Sequence, residues 1–290
     1  MVDTTLVPDQ VKRLVTVGSR SYGRLTAGGR MLPSFLIAGG QRCGTTSLFK
    51  ALAAHPLVRK AIFHKGVHYF DTNYHRGIKW YRGHFPTVRT AEKTRQQYGE
   101  PARTFESSPY YLYHPLAAGR IARDLPEVKL LVLVRDPVER AYSQHAHELA
   151  RGFEKEPSFA RALELEEQRL AGQEERLVTE AGYYSFSHQH HAYRSRGEYA
   201  THLDRLAATV GRDRIHVLES ERFFTEPEQA YDEALRFLEL PQLGYPPFAK
   251  HNARPRPAPL DRFLRAELTT HFAPHDAALT SWLGRRPVWH

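Results

Sequence analysis

The stretch Ala38–Leu52, AGGQRCGTTSLFKAL, decides the fold prediction because it is a phosphate-binding loop in all but one position. Gly39 and Gly44 have the GxxxxG spacing of a Walker A motif, but Thr45 and Thr46 follow where Lys and then Ser or Thr are required. Backbone N–H groups of a glycine turn that leads into a helix bind anionic oxygens. A triphosphate also needs the lysine and a magnesium site. We therefore predict a shorter anion that needs no metal.

The sequence around this loop predicts strands that alternate with helices. Strands are predicted at 34–38, 129–134 and 215–223, and helices at 45–54, 116–125, 138–151, 157–173, 197–210, 227–238, 260–272 and 273–283. Asp136 is a predicted N-cap, followed by a first-turn proline. This order indicates an α/β fold of three layers with a central, mostly parallel sheet. Residues 1–33 form a polar lead-in and residues 34–290 a single domain.

Composition limits the classes of function. The chain has 290 residues with a formal net charge of +9, which favours anionic partners, although its basic residues are scattered and do not form a nucleic-acid arm. The single cysteine, Cys43, excludes an internal disulfide. No apolar run is long enough to span a bilayer and no secretory signal is evident, so we predict a cytoplasmic protein.

A second motif complements the loop about ninety residues later, in LLVLVRDPVERAYSQH (130–145). Arg135 ends a buried strand and Ser143 lies eight residues further on, in the following helix. The strand end and the helix direct a guanidinium and a hydroxyl into the crevice at the carboxyl edge of the sheet. An arginine suits a phosphate there because its fork donates two hydrogen bonds.

Together the two motifs resemble those of the sulfotransferases that use 3′-phosphoadenosine 5′-phosphosulfate, in particular bacterial members of the heparan-type branch. The family loop reads Lys-x-Gly-Thr-Thr, and the resemblance places Arg42 where its lysine contacts the sulfuryl group. It implies a P-loop-like fold in which the phosphosulfate is held by Arg42, Cys43, Gly44, Thr45, Thr46 and Ser47, and the 3′-phosphate by Arg135 and Ser143. The donor has no γ-phosphate, which explains the missing lysine.

The resemblance extends to the acceptor side and to a C-terminal loop. KGVHYFD (65–71) is similar to the family stretch Glu-Val-His-Phe-Phe-Asp, but Gly66 replaces the glutamate that acts as base, so His68 is the first candidate base. Glu106, in FESSPYY, is the second candidate, or it fixes Arg42 or His68 by pairing. In NARPRP (252–257), Arg254 resembles the arginine of a loop that covers the nucleotide.

The resemblance implies transfer of a sulfuryl group to a hydroxyl, or to an amine, of a carbohydrate, glycolipid, peptide or secondary metabolite. Two alternatives remain open: a small-molecule kinase with a degenerate loop, and a non-catalytic binder of sulfated or phosphorylated ligands. HQHH (188–191) and the pair His64 and His68 have spacings that suit zinc, but no third ligand accompanies them, so no metal is predicted. The acceptor and the oligomeric state are not predicted.

Overall fold

The computed structural model describes residues 23–249, 251 and 259–290, and a five-stranded parallel sheet lies at the centre of these residues. Its order is β2-β3-β1-β4-β5, and every neighbouring pair is parallel. The strands are β1 Phe35–Gly39, β2 Val58–Lys60, β3 Arg103–Ser107, β4 Lys129–Val134 and β5 Ile215–Glu219. All five residues of β1 are buried, which requires helices on both faces of the sheet. The predicted three-layer α/β fold is confirmed.

Thirteen α-helices of the described residues are labelled here. They are α1 Thr45–Ala53, α2 Ile78–Arg82, α3 Val88–Tyr98, α4 Ala117–Asp124, α5 Pro137–Ala150, α6 Phe159–Glu164, α7 Glu166–Leu170, α8 Gln173–Thr179, α9 Phe186–His190, α10 Tyr199–Val210, α11 Ser220–Thr225, α12 Pro227–Phe237 and α13 Arg262–Leu283. Short 3₁₀ helices lie at Ala27–Gly29, Tyr74–Arg76, Ser195–Gly197 and Arg212–Arg214. Most predicted helices are present within a few residues of their expected bounds.

Three predicted elements differ from those observed. The strand predicted at 215–223 ends at Glu219, and α11 begins at Ser220. The helix predicted at 157–173 is divided into α6 and α7, and α8 follows. The two C-terminal helices are one continuous helix, α13, in which Pro274 is an interior residue. A proline removes only one backbone donor, and buried Leu268, Phe272 and Leu279 hold the helix on both sides of it.

The sheet order directs the ends of three strands to one crevice. β1 lies between β3 and β4, so the chain crosses to opposite sides of β1 as the sheet is built, and open α/β sheets bind ligands at such a point. The glycine loop follows β1, Ser108 follows β3, and Arg135 follows β4. The predicted ligand residues of the two motifs are therefore at the same edge.

The start of α5, which follows β4, gives a stability prediction. The carboxylate of Asp136 accepts hydrogen bonds from the backbone N–H groups of Val138 and Glu139, at 2.9 and 3.3 Å, as the sequence predicts for an N-cap. We expect Asp136→Ala to lower the free energy of unfolding by about 1 kcal/mol, because a cap bond is lost. Asp136→Asn is the matched control, since asparagine also caps. Urea denaturation measures both, and equal losses would contradict the capping role.

Candidate functional site

The glycine turn ends at Gly44, which caps α1 in the left-handed conformation with φ 84°. A side chain there would be strained, and its Cβ would lie 3.2 Å from Phe224 and from the Ser220 hydroxyl. The backbone N–H of Cys43 donates to Gly40 O, and that of Ser47 donates to Gly44 O. These two predicted ligand amides therefore close the turn itself, and the first residues of α1 form its open end.

Cys43 is buried inside this turn. Its Sγ lies 3.6 Å from the hydroxyl of Tyr199, and burial raises the pKa of the thiol to about 11. The side chain remains a thiol near neutral pH and does not have the properties of a reactive thiolate. Cys43 is a small residue that fills a tight loop.

Arg42 lies close to both residues of the second motif. Its Nε donates to Ser143 Oγ at 3.1 Å, and its Nη1 lies 3.4 Å from His147 Nδ1. The Nη1 of Arg135 donates to the backbone oxygen of Arg42 at 3.3 Å, and its Nη2 lies 3.7 Å from Glu139. Two guanidinium groups and a hydroxyl from distant parts of the sequence thus meet at the carboxyl edge of the sheet.

A lysine that the sequence analysis did not select lies at the start of α1. Lys65 Nζ donates to the hydroxyls of Thr45 and Thr46, both at 3.0 Å. Its backbone oxygen accepts from the N–H of Ser107, which fixes the segment to the end of β3. Burial lowers the pKa of Lys65 to about 8, and the carboxylate of Glu106 partly offsets this effect. The cation missing from the motif is therefore supplied from twenty residues further along the chain.

His68 is paired with a buried carboxylate. Its Nδ1 lies 2.7 Å from Asp71 Oδ2, and its backbone N–H donates to Ser108 Oγ at 3.0 Å. Burial alone would lower the pKa of His68, but the charge and the hydrogen bond of Asp71 outweigh it and raise the pKa above 6.5. The side chain keeps 38% of its surface exposed, whereas that of Asp71 is fully buried. The imidazole is therefore oriented from one side and open on the other.

Gly66 leaves the space into which this imidazole extends. A Cβ at position 66 would lie 3.1 Å from His68 Nε2 and 3.0 Å from the backbone oxygen of Ser107. A larger residue would thus compete with the ring for the same space. Residues 61–68 contain no helix or strand, and β2 ends at Lys60, so His68 lies in an irregular segment.

Glu106 is fully buried in β3 and accepts four hydrogen bonds. Tyr111 and Ser108 donate their hydroxyls at 2.7 Å, Tyr81 donates its hydroxyl at 3.4 Å, and the N–H of Val67 donates at 3.3 Å. Burial raises the pKa of Glu106 despite these donors. Its negative charge also helps to raise the pKa of His68, one of the two partners expected from the sequence. Through the N–H of Val67, Glu106 connects β3 to the segment that contains Lys65 and His68.

Comparison with known proteins decides the family. Residues 32–246 match the family described as "Sulfotransferase domain". The chain belongs to the sulfotransferase domain family. The family predicted from the two motifs is thus confirmed, as is the enzyme class at the level of the family.

Several known sulfotransferases are similar over most of this chain. A crystal structure of a sulfotransferase from Alicyclobacillus acidocaldarius is 28% identical with a TM-score of 0.65, covering 89% of this chain and 98% of that one. Heparan sulfate glucosamine 3-O-sulfotransferase 5 of Homo sapiens is 28% identical over 73% of this chain and 55% of its own length. The bifunctional heparan sulfate N-deacetylase/N-sulfotransferase of Drosophila melanogaster is 26% identical over 74% of this chain and 20% of its own length. The chain thus spans between a fifth and just over half of these two heparan sulfate enzymes.

The three histidines of the HQHH stretch each have a hydrogen-bond partner in the structure. His188 is bonded to Tyr110, His190 to Glu148 and His191 to the backbone of Phe153. Within the part of the chain that the structure describes, one group of three residues has possible metal-ligand atoms that all lie within 4.8 Å of one another: Glu198, His271 and His275. In that same part, no helix combines the length and the apolar character needed to cross a membrane.

The C-terminal loop is described only in part. The backbone N–H of His251 donates to Ser47 Oγ at 3.0 Å, and its Nδ1 lies 3.2 Å from Lys50 Nζ. The chain therefore passes the first turn of α1 directly before residues 252–258. Arg254, the predicted nucleotide contact of this loop, lies outside the described residues.

Proposed function

We propose that this protein transfers a sulfuryl group from 3′-phosphoadenosine 5′-phosphosulfate to a hydroxyl, or less readily to an amine, of an acceptor. The single observation that carries the proposal is the meeting of Arg42, Arg135 and Ser143 beside the N-terminus of α1. Two arginines and a helix start, with one carboxylate within ion-pair distance of Arg135, make a site for a bisphosphorylated ligand.

The donor-binding roles follow from where each group lies. Arg42 and the open start of α1, formed by Gly44, Thr45 and Thr46, hold the phosphosulfate, and Cys43 and Ser47 shape the turn beside it. Arg135 and Ser143 hold the 3′-phosphate, and the bond between Arg42 and Ser143 connects the two ends. We assign Arg254 to the adenosine side, as the family resemblance implies. No divalent ion is required, because the sulfuryl group carries less charge than a γ-phosphate.

His68 is the proposed base. In the reaction the acceptor oxygen forms a bond to sulfur, the bond from sulfur to the bridging oxygen breaks, and the 5′-phosphate leaves with that electron pair. The acceptor proton passes to His68 Nε2, since Nδ1 is hydrogen-bonded to Asp71. Asp71 holds the tautomer and stabilises the imidazolium that forms. Gly66 provides the space for this ring where other heparan-type members have a glutamate.

Glu106 has a positioning role in this proposal. It accepts from the N–H of Val67 and from Ser108, which in turn accepts from the N–H of His68, and these bonds hold the 65–68 segment against β3. Its full burial keeps it from an acceptor. These contacts favour His68 over Glu106 as the base.

The positioning role of Glu106 predicts a large loss of stability. Glu106→Ala leaves buried hydroxyls of Tyr111 and Ser108 without their acceptor, and each unsatisfied group costs about 1–3 kcal/mol. We expect the free energy of unfolding to fall by at least about 2 kcal/mol, measured by chemical denaturation. Glu92→Ala, on the exposed face of α3, is the control. A stable Glu106→Ala variant that has lost only its turnover would instead identify Glu106 as the base.

The acceptor class is tested by a screen. The similarity to heparan sulfate enzymes favours a carbohydrate or glycolipid hydroxyl, and secondary metabolites are the next class. The protein, loaded with donor, is incubated with panels of each, and mass spectrometry detects the gain of one sulfuryl group.

Consumption of ATP with magnesium would support the kinase alternative. Binding of donor without its consumption by any acceptor or by water would support the non-catalytic alternative. A cytoplasmic location remains a prediction.

A further inference from the structure

Lys65 stands in a position that is electrostatically unfavourable in the absence of an anion. Its ammonium lies on the hydroxyls of the first two residues of α1, where the helix dipole places partial positive charge. Cations are instead stabilised near the opposite end of a helix, its C-terminus. Neither threonine hydroxyl carries a charge, and the buried Glu106 carboxylate offsets the cost of the lysine's charge only in part. A negatively charged group bound between Lys65 and the helix start would satisfy both.

Lys65 also lies between the two halves of the proposed site. Its side chain reaches the donor loop, and its backbone is held by Ser107 at the end of β3. Gly66 and His68, the proposed acceptor side, follow directly in the sequence. Arg42, in contrast, is directed to Ser143 and His147 on α5. Lys65 and Arg42 thus lie toward different ends of the site.

We propose, on the basis of the function proposed above, that Lys65 is the cation that binds the transferring sulfuryl group and the bridging oxygen in the transition state. In the Walker-type loop Thr45 occupies the lysine position, and the cation of that loop, Arg42, is bonded to Ser143 on α5. During transfer, negative charge grows on the bridging oxygen as its bond to sulfur breaks. The ammonium of Lys65 donates hydrogen bonds to that oxygen and to the sulfuryl oxygens, and it exchanges no proton with them.

The surroundings of Lys65 predict how its role depends on pH. Glu106 favours its charged form, whereas His68, when protonated, opposes it, and burial lowers the pKa to about 8 in the free protein. Lys65 must be charged to act, so kcat/KM falls as pH rises through about 8. An arginine at this position keeps its charge and should remove this fall in kcat/KM near pH 8, the alkaline limb of the pH profile.

The test separates this role from donor binding. Lys65→Met, Lys65→Arg and the exposed control Lys93→Met are compared for release of adenosine 3′,5′-bisphosphate from the donor, with acceptor or with water alone. We expect Lys65→Met to lower kcat by about 10²–10³-fold. Its affinity for adenosine 3′,5′-bisphosphate, which lacks the sulfuryl group, should change less than about threefold. Lys65→Arg should retain part of the rate and lose the limb near pH 8.

Each outcome decides between a catalytic and a structural lysine. A Lys65→Met variant with the wild-type kcat, or with a loss confined to nucleotide affinity, would overturn the proposal. So would an unchanged alkaline limb in Lys65→Arg, which also covers the case in which the methionine variant fails to fold. Failure of the wild-type protein to bind adenosine 3′,5′-bisphosphate at all would instead overturn the proposed function on which this inference rests.

Discussion

Replacing His68 with alanine is expected to lower kcat by about 10²–10⁴-fold, the usual contribution of a general base. Donor binding should be retained, because His68 Nδ1 is bonded to Asp71 rather than to the nucleotide loop. The measurement is steady-state turnover of the donor with the acceptor found in the screen. His75→Ala is the control, since His75 is exposed in the neighbouring 3₁₀ helix.

The role of His68 as a base also predicts the direction in which kcat changes with pH. His68 acts as a base only when neutral, and the charge of Asp71 raises its pKa above 6.5 against the opposing effect of burial. kcat should therefore rise as pH increases through that raised pKa. In Asp71→Asn the raising charge is absent and burial remains, so the acid limb should move to lower pH while the maximal rate falls. An acid limb at the same pH in both proteins would show that His68 is not the titrating base.

Replacing Arg42 with alanine is the second large effect expected. Arg42 is the proposed contact of the phosphosulfate and is bonded to Ser143. Its loss therefore removes a positive charge that faces the donor and a hydrogen bond within the site. We expect kcat/KM for the donor to fall at least about 10³-fold, with weaker nucleotide binding. Arg135→Ala should mainly raise the donor KM, because it removes only a 3′-phosphate contact.

The comparison between the two arginine variants has its own control. Arg89→Ala makes the same substitution at an exposed position of α3, and the kinetics of this variant should be those of the wild-type protein. Turnover at the wild-type rate in both Arg42→Ala and Arg135→Ala would contradict the assignment of the nucleotide site. A large fall in kcat for Arg135→Ala with an unchanged KM would reverse the roles proposed for the two arginines.

The donor side could be predicted from the sequence because its signals are local. The GxxxxG spacing fixes a turn before a helix, and Arg135 and Ser143 are carried to the same edge by a buried strand and the helix after it. Once β1 and β4 are recognised as neighbours in a parallel sheet, the meeting of the two motifs follows from the fold alone.

The acceptor side could not be predicted in the same way because its contacts are tertiary. β3 has four polar residues and a single apolar one, Phe105, yet it is an inner strand of the sheet. Thr104 donates to the Arg59 backbone and Glu106 accepts four hydrogen bonds, and these bonds make the burial of both possible. Lys65 contacts Thr45 and Thr46 although β2 lies between them in the sequence, and no sequence spacing indicates this contact. The resemblance indicated Gly66 as a loss, but not that the His68 ring fills its space.

Calorimetric titration with adenosine 3′,5′-bisphosphate in the absence of divalent ions tests the central claim most directly. The account predicts one equivalent bound per chain, with adenosine 5′-monophosphate binding at least about tenfold more weakly because it lacks the group that Arg135 and Ser143 hold. Equal affinity for the two nucleotides, or binding that requires magnesium, would contradict it.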